Sequence, residues 1–196
     1  MFIRKKKING QEYAYLVRNK WIKDKGSRQK AKYMGKILHF DISINIDFKK
    51  HIKEKFDVSI NNFILHHSKT DIINEIVIWE LKRRGFRLGE VEVIKEIKEY
   101  GQTRRTVKQI KKIVALTKDK FYYKNRRLLK QSNHKESIIE MNEGFLCAFA
   151  LNKVINAKLV GYDEREKAIG FAKTMLESGI KVDGDLFVLL FNKWNK

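Results

Sequence analysis

The chain has 196 residues, 43 of them Lys or Arg against 23 Asp or Glu, and a formal net charge of +20 at pH 7. Its 43% hydrophobic and 11% aromatic content is enough to build a core and excludes disorder throughout. No run approaches the roughly 18 uncharged apolar residues of a membrane span, and no apolar run follows the basic start, so the expectation is a cytoplasmic protein, neither secreted nor membrane-spanning.

Proline is absent, and Lys, Ile and Asn are abundant, as AT-rich coding would produce. Total charge is therefore a poor guide to a partner, and the distribution of charge is a sharper one. Met1 to Leu38 holds 12 basic and 2 acidic residues, and Gly101 to Lys135 holds 12 and 1. The segment between them balances at 11 and 11, and the remainder has 8 against 9. Two short segments thus own the whole excess. Such segregation costs self-repulsion unless a polyanion relieves it, which makes nucleic acid the leading partner and an anionic membrane surface the second.

The first element is a hairpin. Asn9-Gly10 lies between Phe2-Ile-Arg-Lys-Lys-Lys-Ile8 and Glu12-Tyr-Ala-Tyr-Leu-Val17, and both positions of a two-residue turn require positive φ. That turn sets the register: Ile8 opposite Gln11, Lys6 opposite Tyr13, Arg4 opposite Tyr15 and Phe2 opposite Val17, with Ile3–Leu16 and Lys5–Ala14 on the other face. A second turn at residues 23–27 returns the chain as Arg28-Gln-Lys-Ala-Lys-Tyr-Met34 and completes a three-stranded antiparallel meander. Arg4, Lys5, Lys6, Arg18, Lys20, Arg28, Lys30 and Lys32 are its candidate nucleic-acid contacts. Tyr13, Tyr15, Trp21 and Tyr33 are read as packing the sheet on the rest of the protein.

The pattern Phe2-Ile-Arg-Lys-Lys-Lys, Tyr13-Ala-Tyr-Leu-Val17, Arg28-Gln-Lys and Lys32-Tyr-Met-Gly-Lys-Ile37 resembles the amino-terminal segment of DDE-type insertion-sequence transposases. The resemblance implies a DNA-associated β-meander. The three catalytic carboxylates of such transposases have no counterpart here, so it supports DNA contact and not transposition.

After Leu38 the period changes to 3.6. Ile44, Phe48, Ile52 and Phe56 predict a helix starting near Asp47, and Ser68-Lys-Thr-Asp71 forms a capping box for a longer one that ends at Gly85. A Glu-bearing helix, Gly85 and then Glu90 to Lys98, read as a strand ending in Glu-x-Lys, raise the alternative of a metal-dependent restriction-like nuclease, with Glu75 or Glu80, Glu96 and Lys98 as its residues. Glu90 to Tyr100 reads equally as an exposed charged helix. Thr103 is expected to cap an amphipathic basic helix, with Val107, Ile110, Ile113 and Val114 on one side and Arg104, Arg105, Lys108, Lys111 and Lys112 on the other. Phe121-Tyr-Tyr-Lys-Asn-Arg126-Arg127 interleaves aromatics with cations, a composition suited to stacked bases and neutralised phosphates, which keeps RNA or a ribonucleoprotein as a further alternative.

From Asn142 three helices are expected: Glu143 to Asn156, one opened by Asp163-Glu-Arg-Glu166 and stopped by Gly179, and one capped by Asp185 that runs to Trp194. Cys147, in an apolar run, reads as a small buried hydrophobe and not a nucleophile. No phosphate-binding Gly-rich loop, nucleophile elbow or Cys/His metal spacing occurs. The sequence therefore predicts an α+β protein with a basic meander at 1–38, a mixed middle at 39–135 and a helical unit at 136–196. The expected role is non-enzymatic binding of DNA through phosphate contacts, with no cofactor, no metal and no catalytic residue assigned, and with the C-terminal helices as a candidate surface for a homo-oligomer.

Overall fold

The computed structural model describes residues 1–23, 26–86, 94–99, 102–107, 114–116, 121–124, 127–130 and 136–195, with the backbone pairing alone described for most of 94–130. Strands β1 (Phe2–Ile8), β2 (Gln11–Ile22) and β3 (Gly26–His39) form the antiparallel meander. Asn9 and Gly10 have φ of 48° and 76°, the positive values that their turn demands. The β1–β2 register is the one that a two-residue loop imposes, from Ile8 opposite Gln11 to Phe2 opposite Val17.

The meander continues into a larger sheet. Helices α1 (Phe48–Phe56), α2 (Ile60–His66) and α3 (Lys69–Arg83) follow β3. The remaining strands are β4 (Ile94–Glu99), β5 (Gln102–Val107), β6 (Val114–Leu116), β7 (Phe121–Lys124), β8 (Arg127–Lys130), β9 (Glu136–Met141) and β10 (Gly144–Leu146). Helices α4 (Ala148–Ile155), α5 (Glu164–Glu177) and α6 (Gly184–Trp194) close the described chain. The main sheet has the order β1-β2-β3-β9-β8-β7-β6, with β10 paired to β9 and a separate β4–β5 pair. The fold is α+β. The β3–β9 contact is parallel, with Ile37 opposite Ile138, and it joins the start of the chain to its last third in one sheet.

Alternation along β9 places its residues in two cores. Ile139 lies in the main core with Phe48, Ile52, Ile72, Ile76 and Leu190, whereas Ile138 lies with Ala14, Ile37, Cys147 and Ala150. Both faces of the sheet are thus covered at the β3–β9 seam. Gly35, with φ 148°, permits this approach, because a Cβ there would lie 3.1 Å from the Glu136 carbonyl oxygen.

Capping explains the helices that the sequence reveals. Ser68 Oγ accepts from the Asp71 backbone N–H at 3.2 Å, and Asp71 Oδ2 accepts from the Ser68 N–H at 3.3 Å. Asp163 Oδ1 accepts from the Glu166 N–H at 2.7 Å. Buried polar networks then tie α3 to its neighbours. Glu80 pairs with Arg84, and the Asn142 amide donates to Glu80 Oε1 at 3.0 Å and to the Gly179 carbonyl at 2.9 Å.

Several local expectations change. Residues 102–107 form β5 and not the start of a basic helix, pairing antiparallel with 94–99, where Glu96 faces Arg105. The β-branched Thr103, Thr106 and Val107 suit a pleated strand. Of the two readings of Glu90 to Tyr100, strand and charged helix, residues 94–99 take the strand, β4, and Val114, expected on the amphipathic basic helix, lies on β6. The helix expected from Glu143 begins at Ala148, because Asn142 and Glu143 have φ of 48° and 68° and turn β9 into β10. The last helix is capped by Asp183, whose Oδ1 accepts from the Leu186 N–H at 2.8 Å, two residues before the expected Asp185.

Candidate nucleic-acid interface

The β1 strand covers β2 only as far as Val17. Beyond it β2 and β3 continue as a two-stranded ribbon, pairing Arg18 with Lys30, Asn19 with Gln29, Lys20 with Arg28, Trp21 with Ser27 and Ile22 with Gly26. At about 3.4 Å per residue the ribbon extends roughly 17 Å past the three-stranded part. Residues 27–33 are exposed without interruption. The reason is local: residues 13–23 and 26–38 contain no carboxylate, and few apolar side chains give this stretch anything to bury.

The pleat sorts the ribbon's side chains. Arg18, Lys20, Arg28 and Lys30 share one face, and Lys32, opposite Leu16, extends the stripe toward the sheet. Arg18–Lys30 and Lys20–Arg28 are like charges placed directly opposite each other, an arrangement that destabilises a sheet by up to about 1 kcal/mol per pair. Among the described residues none of these five cations forms an ion pair. A polyanion would remove the repulsion.

The other face carries Asn19, Trp21, Ser27 and Gln29, followed toward the root by Tyr15, Tyr33 and Tyr13. Arg4 Nη2 donates to Gln29 Oε1 at 3.1 Å. Tyr33 meets Tyr15 edge-on, with ring centroids 5.7 Å apart, and Tyr13 at 6.1 Å. The three tyrosines therefore pack on one another rather than on the rest of the protein, and Tyr33 stays 55% exposed. Trp21 does not pack: it is 77% exposed, one of the most open large side chains in the described chain. Lys6 and Lys36 are exposed on the tyrosine face, where each is opposite Tyr13.

Lys5 stands apart from the other meander cations. Its Nζ lies 2.9 Å from Glu140 Oε2 and 3.5 Å from Glu12 Oε1, while His39 Nε2 is 2.7 Å from Glu12 Oε2. Lys5, Glu12, His39 and Glu140 thus form a row across β1, β2, β3 and β9. Hydrogen bonding to Glu140 raises the Lys5 ammonium above its ordinary value. The His39 hydrogen bond, helped by Lys5, holds the Glu12 carboxyl below the usual carboxylate range. Glu12, His39 and Glu140 bring ligand-type atoms within 4.8 Å of one another, but the Lys5 ammonium already answers both carboxylates. The row acts as an ionic clasp at the root of the sheet.

In the second basic segment Arg104 and Arg105 lie on β5, opposite Ile97 and Glu96. Arg127 lies on β8, opposite Lys124. Leu128 pairs with Ser137 and Ile138 with Ile37, so Arg127 sits at the level of Ile37, at the root of the ribbon and not its tip. Lys108, Lys111, Lys112 and Arg126 lie outside the described residues. Of the nuclease residues, Glu75 and Glu80 are buried. Glu75 Oε1 is 2.7 Å from both His51 Nε2 and Lys55 Nζ, and Glu80 is paired with Arg84. Both carboxylates are engaged inside the helical body. Glu96 and Lys98 lie on β4, which pairs with β5.

No protein-family model, curated protein or solved structure matches the chain.

Burial pushes the Cys147 thiol up to about 11, so it lacks the thiolate that a nucleophile needs. No helix among the described residues is long and apolar enough to cross a membrane. Trp21 escapes sequence reasoning as a site residue because period-two alternation assigns it to a sheet face without revealing that β1 stops short of it.

Proposed function

We propose that the chain binds duplex DNA through the β2–β3 ribbon, mainly by phosphate contacts from Arg18, Lys20, Arg28, Lys30 and Lys32, without catalysing a reaction. The observation that carries this reading is the two pairs of directly opposed like charges on a projecting ribbon, residues 18–22 and 26–30, that holds no carboxylate. A two-stranded ribbon matches the roughly 12 Å width of the B-DNA major groove, whereas the deep, narrow major groove of A-form RNA does not admit one. Long Lys and Arg stems on either strand reach past the backbone to the flanking phosphates. Arg4 and Lys6 on the neighbouring face, and Arg127 at the root, would extend the footprint along the sheet.

Competition among labelled duplex DNA, single-stranded DNA and structured RNA, followed by fluorescence anisotropy, tests the proposal. Duplex DNA is expected to displace the others. Preference for structured RNA would move the assignment to ribonucleoprotein binding, and binding to none of the three would remove it.

A further inference from the structure

The cationic stripe accounts for one face of the ribbon and leaves the other without a role. That second face carries no formal charge between Asn19 and Trp21 on β2 or between Ser27 and Gln29 on the β3 part of the ribbon. Its side chains are amides, a hydroxyl and an indole, which suit base edges and base faces better than phosphates. Gln29 has its carbonyl oxygen engaged by Arg4 at 3.1 Å, which orients its amide NH2 as a donor. Trp21 lies within three residues of the ribbon tip and is 77% exposed. Burial, the ordinary fate of tryptophan, is reached by Trp79, which is only 6% exposed.

We propose that Trp21 is a base-stacking wedge: with the cations held on phosphates, its indole enters a base step that can be unstacked, and the preferred ligand is DNA that kinks readily or is already interrupted. This inference rests on the DNA-binding reading. Minor-groove architectural proteins insert apolar wedges and spend unstacking energy to obtain a bent duplex that meets more protein surface, and the same exchange applies to an indole entering from the major groove. Pyrimidine–purine steps, bulges and nicks lower the cost of opening the stack and so should be favoured. An anionic lipid surface would also accept an indole beside cations, but it has no stacked planar bases for the indole to enter, and the vesicle arm of the test separates the two.

The test compares the full-length protein with Trp21→Ala and Trp21→Phe on a continuous duplex, on the same duplex with a two-base bulge, and on phosphatidylserine vesicles. Because Trp21 is exposed, each variant should keep the fold, which circular dichroism verifies. The wild type should prefer the bulged duplex, with indole emission quenched on binding. Trp21→Ala should weaken that complex about 5- to 150-fold, the effect of losing one stacked base, and Trp21→Phe should recover part of it. The salt dependence should stay unchanged, since no cation is removed. Equal affinity of all three proteins for the bulged duplex, or emission that responds to vesicles and not to DNA, would overturn the wedge while leaving the phosphate reading to its own test. Absence of DNA binding by the wild type would instead overturn the reading on which the wedge rests.

Discussion

At the residue scale, the structure separates cations that hold the protein together from those that face outward. Lys5 reads from sequence like Lys6 or Lys30, yet its ammonium is shared between Glu12 and Glu140. Nothing in the amino-terminal sequence announces Glu140, which arrives through the β3–β9 pairing. Replacing Lys30 with Gln should therefore lower the log-affinity versus log-salt slope by about 1, whereas Lys5→Gln should leave it nearly unchanged, as anisotropy titrations would show. Glu75 gives a pH prediction. Burial pushes its carboxyl up, but hydrogen bonds from His51 and Lys55 together outweigh that and hold it below the usual range. A carboxyl depressed in the folded state adds stability above its unfolded value near pH 4, and that stability disappears as pH falls through the folded value. Glu75→Gln should cost about 3 kcal/mol in denaturant unfolding at pH 7, and the difference from wild type should shrink toward pH 3.

At the element scale, legibility follows the strength of local chemistry. The first hairpin is readable to the residue because Asn9-Gly10 fixes a two-residue turn, and α3 is readable because Ser68 and Asp71 cap it reciprocally. The β9–β10 turn is not, because Asn142 is followed by Glu143, a residue that rarely accepts a φ of 68°. Here the third position matters more. A Cβ on Gly144 would lie 1.8 Å from the Leu176 carbonyl oxygen, where β10 meets the end of α5. Gly144→Ala should destabilise the protein by about 3 kcal/mol or more, measured by chemical denaturation, since neither backbone can yield cheaply. Strand β5 is disguised in the sequence because Val107, Ile110, Ile113 and Val114 repeat at helical spacing, although β-branched residues favour strands. The ribbon itself is half legible: its cations are evident, but the point where β1 stops covering β2 depends on strand length, which the pattern does not give.

At the scale of the whole molecule, the uneven charge acquires a shape. One basic segment projects midway as a ribbon, and part of the other, through Arg127 on β8, joins the same sheet at the level of Ile37. The helical body holds its buried carboxylates in internal pairs and anchors the sheet through β9. With like charges opposed along its cationic face, the ribbon is a place where bound anions would stabilise the fold. The most direct test is the salt dependence of duplex-DNA affinity for the wild type and for a variant with Arg18, Lys20, Arg28 and Lys30 all changed to Gln. The wild type should bind more weakly as salt rises, and the variant's log–log slope should be shallower by about 3 to 4, close to 0.9 for each phosphate that the variant no longer neutralises. Salt-insensitive binding, or a variant with the wild-type slope and affinity, would contradict phosphate recognition by the ribbon.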